Sequence, residues 1–185
     1  LEFRRVLFRS FVLVAWARER RNRRLSGGPE KFWPGTTYAP AAAYFIAAAG
    51  AILITVAEAA VEKRAGLTEA QSVLPAVFVF QLLGASVVEE MLFRGFVAPG
   101  ELFGRKLLAL MLVGSLVFAL IHNFDLGEPE GRVNAVFAFV TSLWLYVVRF
   151  NPLNPDRSLL PCFMAHTVRN LAVFGIKWAQ GLVSG

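Results

Sequence analysis

The chain has 185 residues, 56% of them hydrophobic, a formal net charge of +6 and a mean hydropathy of +0.55. So few polar residues cannot cover a water-soluble globule, and the apolar ones fall into runs of membrane-spanning length; a soluble domain is excluded and an all-α polytopic transmembrane helical bundle is expected. The positive charge gathers in Arg18, Arg20, Arg21, Arg23 and Arg24, between two apolar segments and without interleaved aromatic residues, so it reads as a cytoplasmic membrane flank and argues against nucleic acid as a partner.

In chain order, Leu1 to Ser10 (LEFRRVLFRS) resembles the translation of a short-read sequencing adapter and is set aside as an artefact, like any tag. The native sequence is then expected to begin near Phe11, inside a truncated first span that ends near Ala17. Pro40 to Val61 is the first complete span, rich in Ala, with Glu58 near its far end and within reach of the membrane interface. Ser72 to Val97 follows and is broken by the turn Ala98-Pro99-Gly100. Arg105 to His122, Val133 to Arg149 and Leu159 to Ala179 complete about six spans, the last two separated by the Pro- and Asn-rich loop from Asn151 to Arg157. Residues 11–185 read as one domain with its chemistry concentrated between about 72 and 179. Of the loop charges, Arg18, Arg20, Arg21, Arg23, Arg24, Lys31, Arg105, Lys106, Arg149 and Arg157 fall on one side, against Lys63, Arg64, Arg132 and Lys177 on the other. The first side is therefore expected to be cytoplasmic.

Ionisable residues inside such spans mark a functional site by default, because a charge at the bilayer centre costs at least about 2.5–3.5 kcal/mol. The candidates are Glu89, Glu90, Arg94, His122 and His166, with Asn170. Glu89 and Glu90 are adjacent, hence about 100° apart on a helix, and are expected to do different jobs. Arg94 follows Glu90 by four residues, the favourable order for an ion pair, so those two read as a brace. Glu89 is left to face a cavity as a general base. His122 sits four residues after Phe118, and His166 and Asn170 repeat that spacing, presenting two hydrogen-bond donors side by side. A carboxylate and an imidazole to deprotonate water, with two donors for an oxyanion, form a set for peptide hydrolysis that needs no covalent nucleophile. The single cysteine, Cys162, shares a helix face with His166, but a Cys/His nucleophile would leave Glu89 and His122 unexplained; Cys162 reads as a packing residue.

Three spaced motifs carry a resemblance. Glu89-Glu90-Met-Leu-Phe-Arg94 is similar to EExxxR, Phe118-Ala-Leu-Ile-His122 to FxxxH, and His166-Thr-Val-Arg-Asn170 to HxxxN. In this order they resemble the CPBP family, the CAAX proteases and bacteriocin-processing enzymes also called Abi, which include the type II CAAX prenyl endopeptidases. The resemblance implies an intramembrane endopeptidase in which Glu89 and His122 activate water, His166 and Asn170 form the oxyanion site, and Glu90 and Arg94 support them. It favours a metal-free, glutamic-type mechanism with no cofactor. A zinc site built from Glu89, His122 and His166 remains the alternative, although none of the clusters has compact HExxH spacing. The implied partners are membrane lipids and a membrane-anchored or lipidated peptide or protein substrate; the adapter-like start and the short loops suggest a bacterial source, and so the bacterial cytoplasmic membrane as the expected location. A non-catalytic membrane protein, such as a bacteriocin-immunity factor, and a proton or metal-ion transporter are the rival classes.

Helix arithmetic adds one structural expectation. Glu89 lies about ten residues before the Pro99-Gly100 turn and His122 more than twenty after it, so Glu101 to Lys106 should form an intervening turn or surface helix that brings the two to one depth.

Overall fold

The computed structural model describes residue 21 and residues 35–68, 73–98, 103–122 and 124–185. The expected first span, most of the Arg cluster and the Pro99-Gly100 turn lie outside these. The described elements are α1 (Ala41–Arg64), a short β1 (Leu74–Pro75), α2 (Phe78–Glu90) continuing into a π-helical turn (Met91–Phe96), α3 (Gly104–Ile121), α4 (Pro129–Phe150), α5 (Leu160–Ala179) and a short β2 (Val183–Ser184). The chain is mostly helical. Helix α5 packs against α1, α2 and α4, and α3 packs against α4.

The α1 sequence explains its seat. Ala43, Ala47, Ala51, Thr55 and Glu58 recur at helical spacing and are its buried residues, so one stripe faces inward while Phe45, Leu53 and Val56 point outward. Between lipid-facing helices there is little hydrophobic drive, and close packing of small residues supplies the contact instead. Ala47 and Ala51 meet Leu145 and Val148 of α4 and Cys162 and Ala165 of α5 in one buried cluster. Trp144 lies over the Gly50 backbone, where a β-carbon would overlap its ring, and donates its Nε1–H to Ala47 O at 3.1 Å.

Pro129 and Pro161 stand in the first turns of α4 and α5, where a missing N–H costs nothing. The loop between these helices is held by fully buried Asn154, whose Nδ2 donates to Val148 O, Arg149 O and Ser158 O. At the other end of the bundle β1 and β2 pair in parallel, with Leu74 opposite Val183 and Pro75 opposite Ser184, tying the start of α2 to the residues after α5.

One expectation is met in part and another changes. Among the described residues three helices, α1, α3 and α4, are long and apolar enough to cross a membrane, against about six spans expected from the sequence. Helix α2 has 13 residues before its π-helical turn, and α5, although 20 residues long, carries His166, Arg169, Asn170 and Lys177. Helix α2 falls short in length, and in α5 these polar residues lower the hydropathy. Second, Gly104 to Lys106 already form the first turn of α3, with Gly104 at φ +56, so they do not make a separate surface element; Glu101 and Leu102 lie outside the described residues.

Candidate functional site

The last turn of α2 ends in Glu89 and Glu90, and the coil then widens through Met91–Phe96. Such π-helical turns are rare and recur at functional sites. Glu90 and Arg94 are both fully buried. Arg94 Nη1 donates to Glu90 Oε1 at 3.2 Å, while its Nη2 donates to the Ser142 carbonyl of α4 at 2.8 Å and to the Ser142 hydroxyl. The guanidinium lies 4.6 Å from the Tyr146 ring and 5.1 Å from the Phe118 ring, so aromatic faces enclose the charge where carboxylate and carbonyl do not. Tyr146 donates its hydroxyl to Phe93 O at 3.2 Å and fastens the π-helical turn to α4.

His166, on α5, reaches across to both glutamates. Its Nδ1 lies 2.8 Å from Glu90 Oε1 and its Nε2 3.8 Å from Glu89 Oε2. An ionised carboxylate only accepts, so Nδ1 carries the proton and Nε2 is the nitrogen turned toward Glu89. Adjacent carboxylates diverge on a helix surface; one imidazole, with a nitrogen on each side, gathers these two again. Glu90 is therefore more than a partner for Arg94, since it also fixes the orientation of His166.

Asn170, one turn further along α5, donates from Nδ2 to Ser86 Oγ at 2.9 Å and to Leu82 O at 3.2 Å, joining α5 to α2. His122 caps α3, and its Nδ1 lies 2.7 Å from Phe118 O, which makes Nδ1–H the donor; among the described residues Nε2 has no hydrogen-bond partner. Its ring stacks on Phe124 with centroids 5.6 Å apart. Phe118 spaces the two histidines, with ring centroids 4.6 Å from His122 and 6.1 Å from His166.

Glu89, His122, His166 and Asn170 all line one cavity of about 970 Å³. It extends to the end of the bundle where α1 and α5 finish and α4 begins, and Glu62, Glu130 and Gln180 lie along it there. Glu90 and Arg94 stand behind this wall. Among the described residues no three His, Cys, Asp or Glu side chains gather closely enough to hold a metal ion.

The same cavity holds a pair that sequence reasoning missed. Glu58 is 8% exposed, and its Oε2 accepts from Arg169 Nη2 at 2.7 Å. Arg169 also donates from Nε to Thr141 Oγ1 at 2.9 Å, which links α1, α4 and α5 at one point. The available signal was the position of Glu58 on the Ala43, Ala47, Ala51, Thr55 stripe.

Apolar helices around a cavity lined by carboxylate and imidazole groups describe a helical membrane protein with a polar interior site. The model of one family, described as type II CAAX prenyl endopeptidase Rce1-like, matches residues 71–172, and this chain belongs to that family. The family is one of integral membrane proteases. No curated protein and no solved structure matches the chain.

Proposed function

We propose that the protein is a glutamic-type intramembrane endopeptidase that hydrolyses peptide bonds of membrane-presented substrates. The observation that carries this reading is the placement of Glu89 in the cavity wall with His166 Nε2 beside it at 3.8 Å, each a short step from the buried Glu90–Arg94 pair. Glu89, with the free Nε2 of His122, takes a proton from water, and the resulting hydroxide attacks the scissile carbonyl. Glu90 keeps Nδ1 of His166 protonated. When Nε2 is protonated as well, the imidazolium stands between two carboxylates and donates to the oxyanion; the proton taken from water then passes to the departing amine. Asn170 joins this site by exchanging its longer bond, the 3.2 Å contact to Leu82 O, for the oxyanion.

Across the membrane, α1, α3 and α4 face lipid, and we place α2 and α5 as inner spans of a six-span bundle in the bacterial cytoplasmic membrane. Their polar residues are then shielded by protein instead of meeting lipid. Substrates with a lipidated or membrane-anchored segment suit a cavity enclosed by such helices.

The test is cleavage of a membrane-presented peptide library by the purified protein in nanodiscs, comparing wild type with Glu89→Gln, with and without a strong chelator. General-base catalysis is worth about 10²–10⁴-fold, so Glu89→Gln should lose that much activity while its melting temperature holds. Chelator should have no effect; loss restored by added zinc would transfer the assignment to a metalloprotease. Cleavage that survives Glu89→Gln would remove the mechanism, and a function carried on without any cleavage would favour the immunity-factor class.

A further inference from the structure

The two ends of the bundle differ in how they meet the reaction cavity. Where α1 and α5 finish and α4 begins, the cavity wall carries exposed Gln81, His122 and Gln180 and half-buried Glu62, Glu130 and Lys177. Amides, an imidazole and charges of both signs make this rim a wet mouth, and hydrolysis at Glu89 consumes water that has to come from somewhere. At the opposite end the described chain is stitched across. Arg149, near the end of α4, donates from Nη1 to Ala98 O at 2.6 Å and from Nε to Arg157 O at 3.2 Å. Ser158 Oγ donates to Thr37 O at 2.7 Å and the Leu159 N–H to Gly35 O at 2.8 Å, which ties the entry of α1 to the start of α5. Ala98, Asn154, Ser158 and Leu159 are fully buried there, and none of them lines the cavity.

Charge assigns these ends to the two sides of a membrane. Arg18, Arg20, Arg21, Arg23, Arg24 and Lys31 all precede α1. The stretch from Leu25 to Pro40 is too short, and too rich in Gly and Pro, to cross a bilayer, so these cations lie on the side where α1 begins. Arg105, Lys106, Arg149 and Arg157 join them at the stitched end, against Lys63, Arg64, Arg132 and Lys177 at the mouth. Lys and Arg in short loops are retained in the cytoplasm, which puts the stitched end inside and the mouth outside. Depth then sets the form of the substrate. Gln180 lies 14 residues beyond His166, about 21 Å along α5, and an extended peptide at about 3.3–3.6 Å per residue covers that with about six residues.

We propose that the reaction cavity opens on the non-cytoplasmic face of the membrane and takes its substrate there, as an exported peptide segment that enters extended between Gln180 and Glu130. This rests on the endopeptidase reading of Glu89, and it adds the side from which the substrate comes and the unfolded state in which it enters.

The test reads access and cleavage separately, in spheroplasts and in inside-out vesicles from the same bacterial cells. Single cysteines are placed in the full chain carrying Cys162→Ala and treated with a membrane-impermeant thiosulfonate. Gln180→Cys at the mouth and Val173→Cys further in should be modified in spheroplasts and not in vesicles, whereas Arg105→Cys at the stitched end should show the reverse. A library of soluble, membrane-impermeant peptides should be cut by the wild-type protein in spheroplasts alone, and by Glu89→Gln in neither preparation. Joining a folded domain two residues from a cut site should abolish that cleavage, and a longer extended linker should restore it. Modification of Gln180→Cys or Val173→Cys from the vesicle side, alone or as well, would overturn the proposal, as would cleavage confined to vesicles. Modification of Gln180→Cys without Val173→Cys would also overturn it, because the mouth would not lead to the site. Thiols modified from outside with no cleavage in either preparation would remove the endopeptidase reading and leave the outward opening established.

Discussion

The two faces of α5 are built on different principles. Toward α1 and α4 it presents Cys162 and Ala165 to Ala47, Ala51, Leu145 and Val148, a dry contact of small and aliphatic side chains. Toward α2 it presents His166 and Asn170 to Glu89, Glu90, Ser86 and Leu82, a contact made almost entirely of hydrogen bonds. Around Cys162 and Ala165 the first face is apolar, as close packing between membrane helices favours, and its polar groups come further along α5, where Arg169 is paired with Glu58 of α1 and Thr141 of α4. The second accommodates polarity because each charge there has an opposite charge or a dipole beside it. The difference shows how a helix too polar to rank as a span can still be central to a membrane bundle: its apolar contacts anchor it and its polar residues line the cavity.

The comparison would break most completely at Arg94. This guanidinium is the cation that offsets fully buried Glu90, and Arg94→Ala would leave a carboxylate facing only His166 and would remove both hydrogen bonds to Ser142. Removing one partner of a buried pair costs about 3–5 kcal/mol, so the variant should melt far below wild type in detergent and lose activity with its fold. Arg94→Lys retains the charge but cannot reach Glu90 and Ser142 together, and should recover stability only in part. A melting temperature for Arg94→Ala equal to wild type would show that the polar face does not need its buried pair.

Legibility followed the same division. Residues spaced four apart on one helix were readable, because helix geometry alone puts Glu90 beside Arg94 and aligns His166 with Asn170. Contacts between helices were not. Nothing local to Glu89 or Glu90 indicates that His166, some 76 residues later, bridges them, and the inward turn of Glu58 toward Arg169 depends on how α1 docks on α5. The π-helical turn at Met91–Phe96 has no simple periodicity signal either, since its stability comes from Tyr146 and Ser142 on α4. Span counting from the sequence agrees with α1, α3 and α4, which are long and apolar enough to cross a membrane; α5 has the length, but His166, Arg169, Asn170 and Lys177 hold its hydropathy down. The mostly helical, membrane-embedded class was legible from composition because no other structure satisfies the backbone in so apolar a chain at this period.

The dry face can be tested at Gly50. A β-carbon there would overlap the Trp144 ring, which is fixed by its hydrogen bond to Ala47 O. Gly50→Ala should therefore cost about 1–3 kcal/mol, the usual penalty for overpacking, and lower the melting temperature while the activity of the folded fraction stays near wild type. The opposite pattern, intact stability with lost activity, would mean that the two faces of α5 are coupled and not separable as described.

Cys162 gives the smallest expected effect and the sharpest division between the faces. It lies four residues before His166, close enough in sequence to suggest a thiol and imidazole working together. In the fold it stands one turn from His166 but among different neighbours: it is fully buried within the α1–α4–α5 cluster and donates its Sγ–H to Leu145 O at 3.4 Å. It is not among the residues that line the cavity. Cys162→Ala should thus remove one sulfur's worth of packing, about 1 kcal/mol, and leave the cleavage rate within about twofold of wild type. A membrane-permeant maleimide should label the folded protein slowly and without loss of activity, because a thiol so enclosed has no route to the thiolate that reacts. Rapid labelling that abolished cleavage, or a Cys162→Ala enzyme without activity but fully folded, would place the sulfur in the chemistry and return the nucleophile to the dry face of α5.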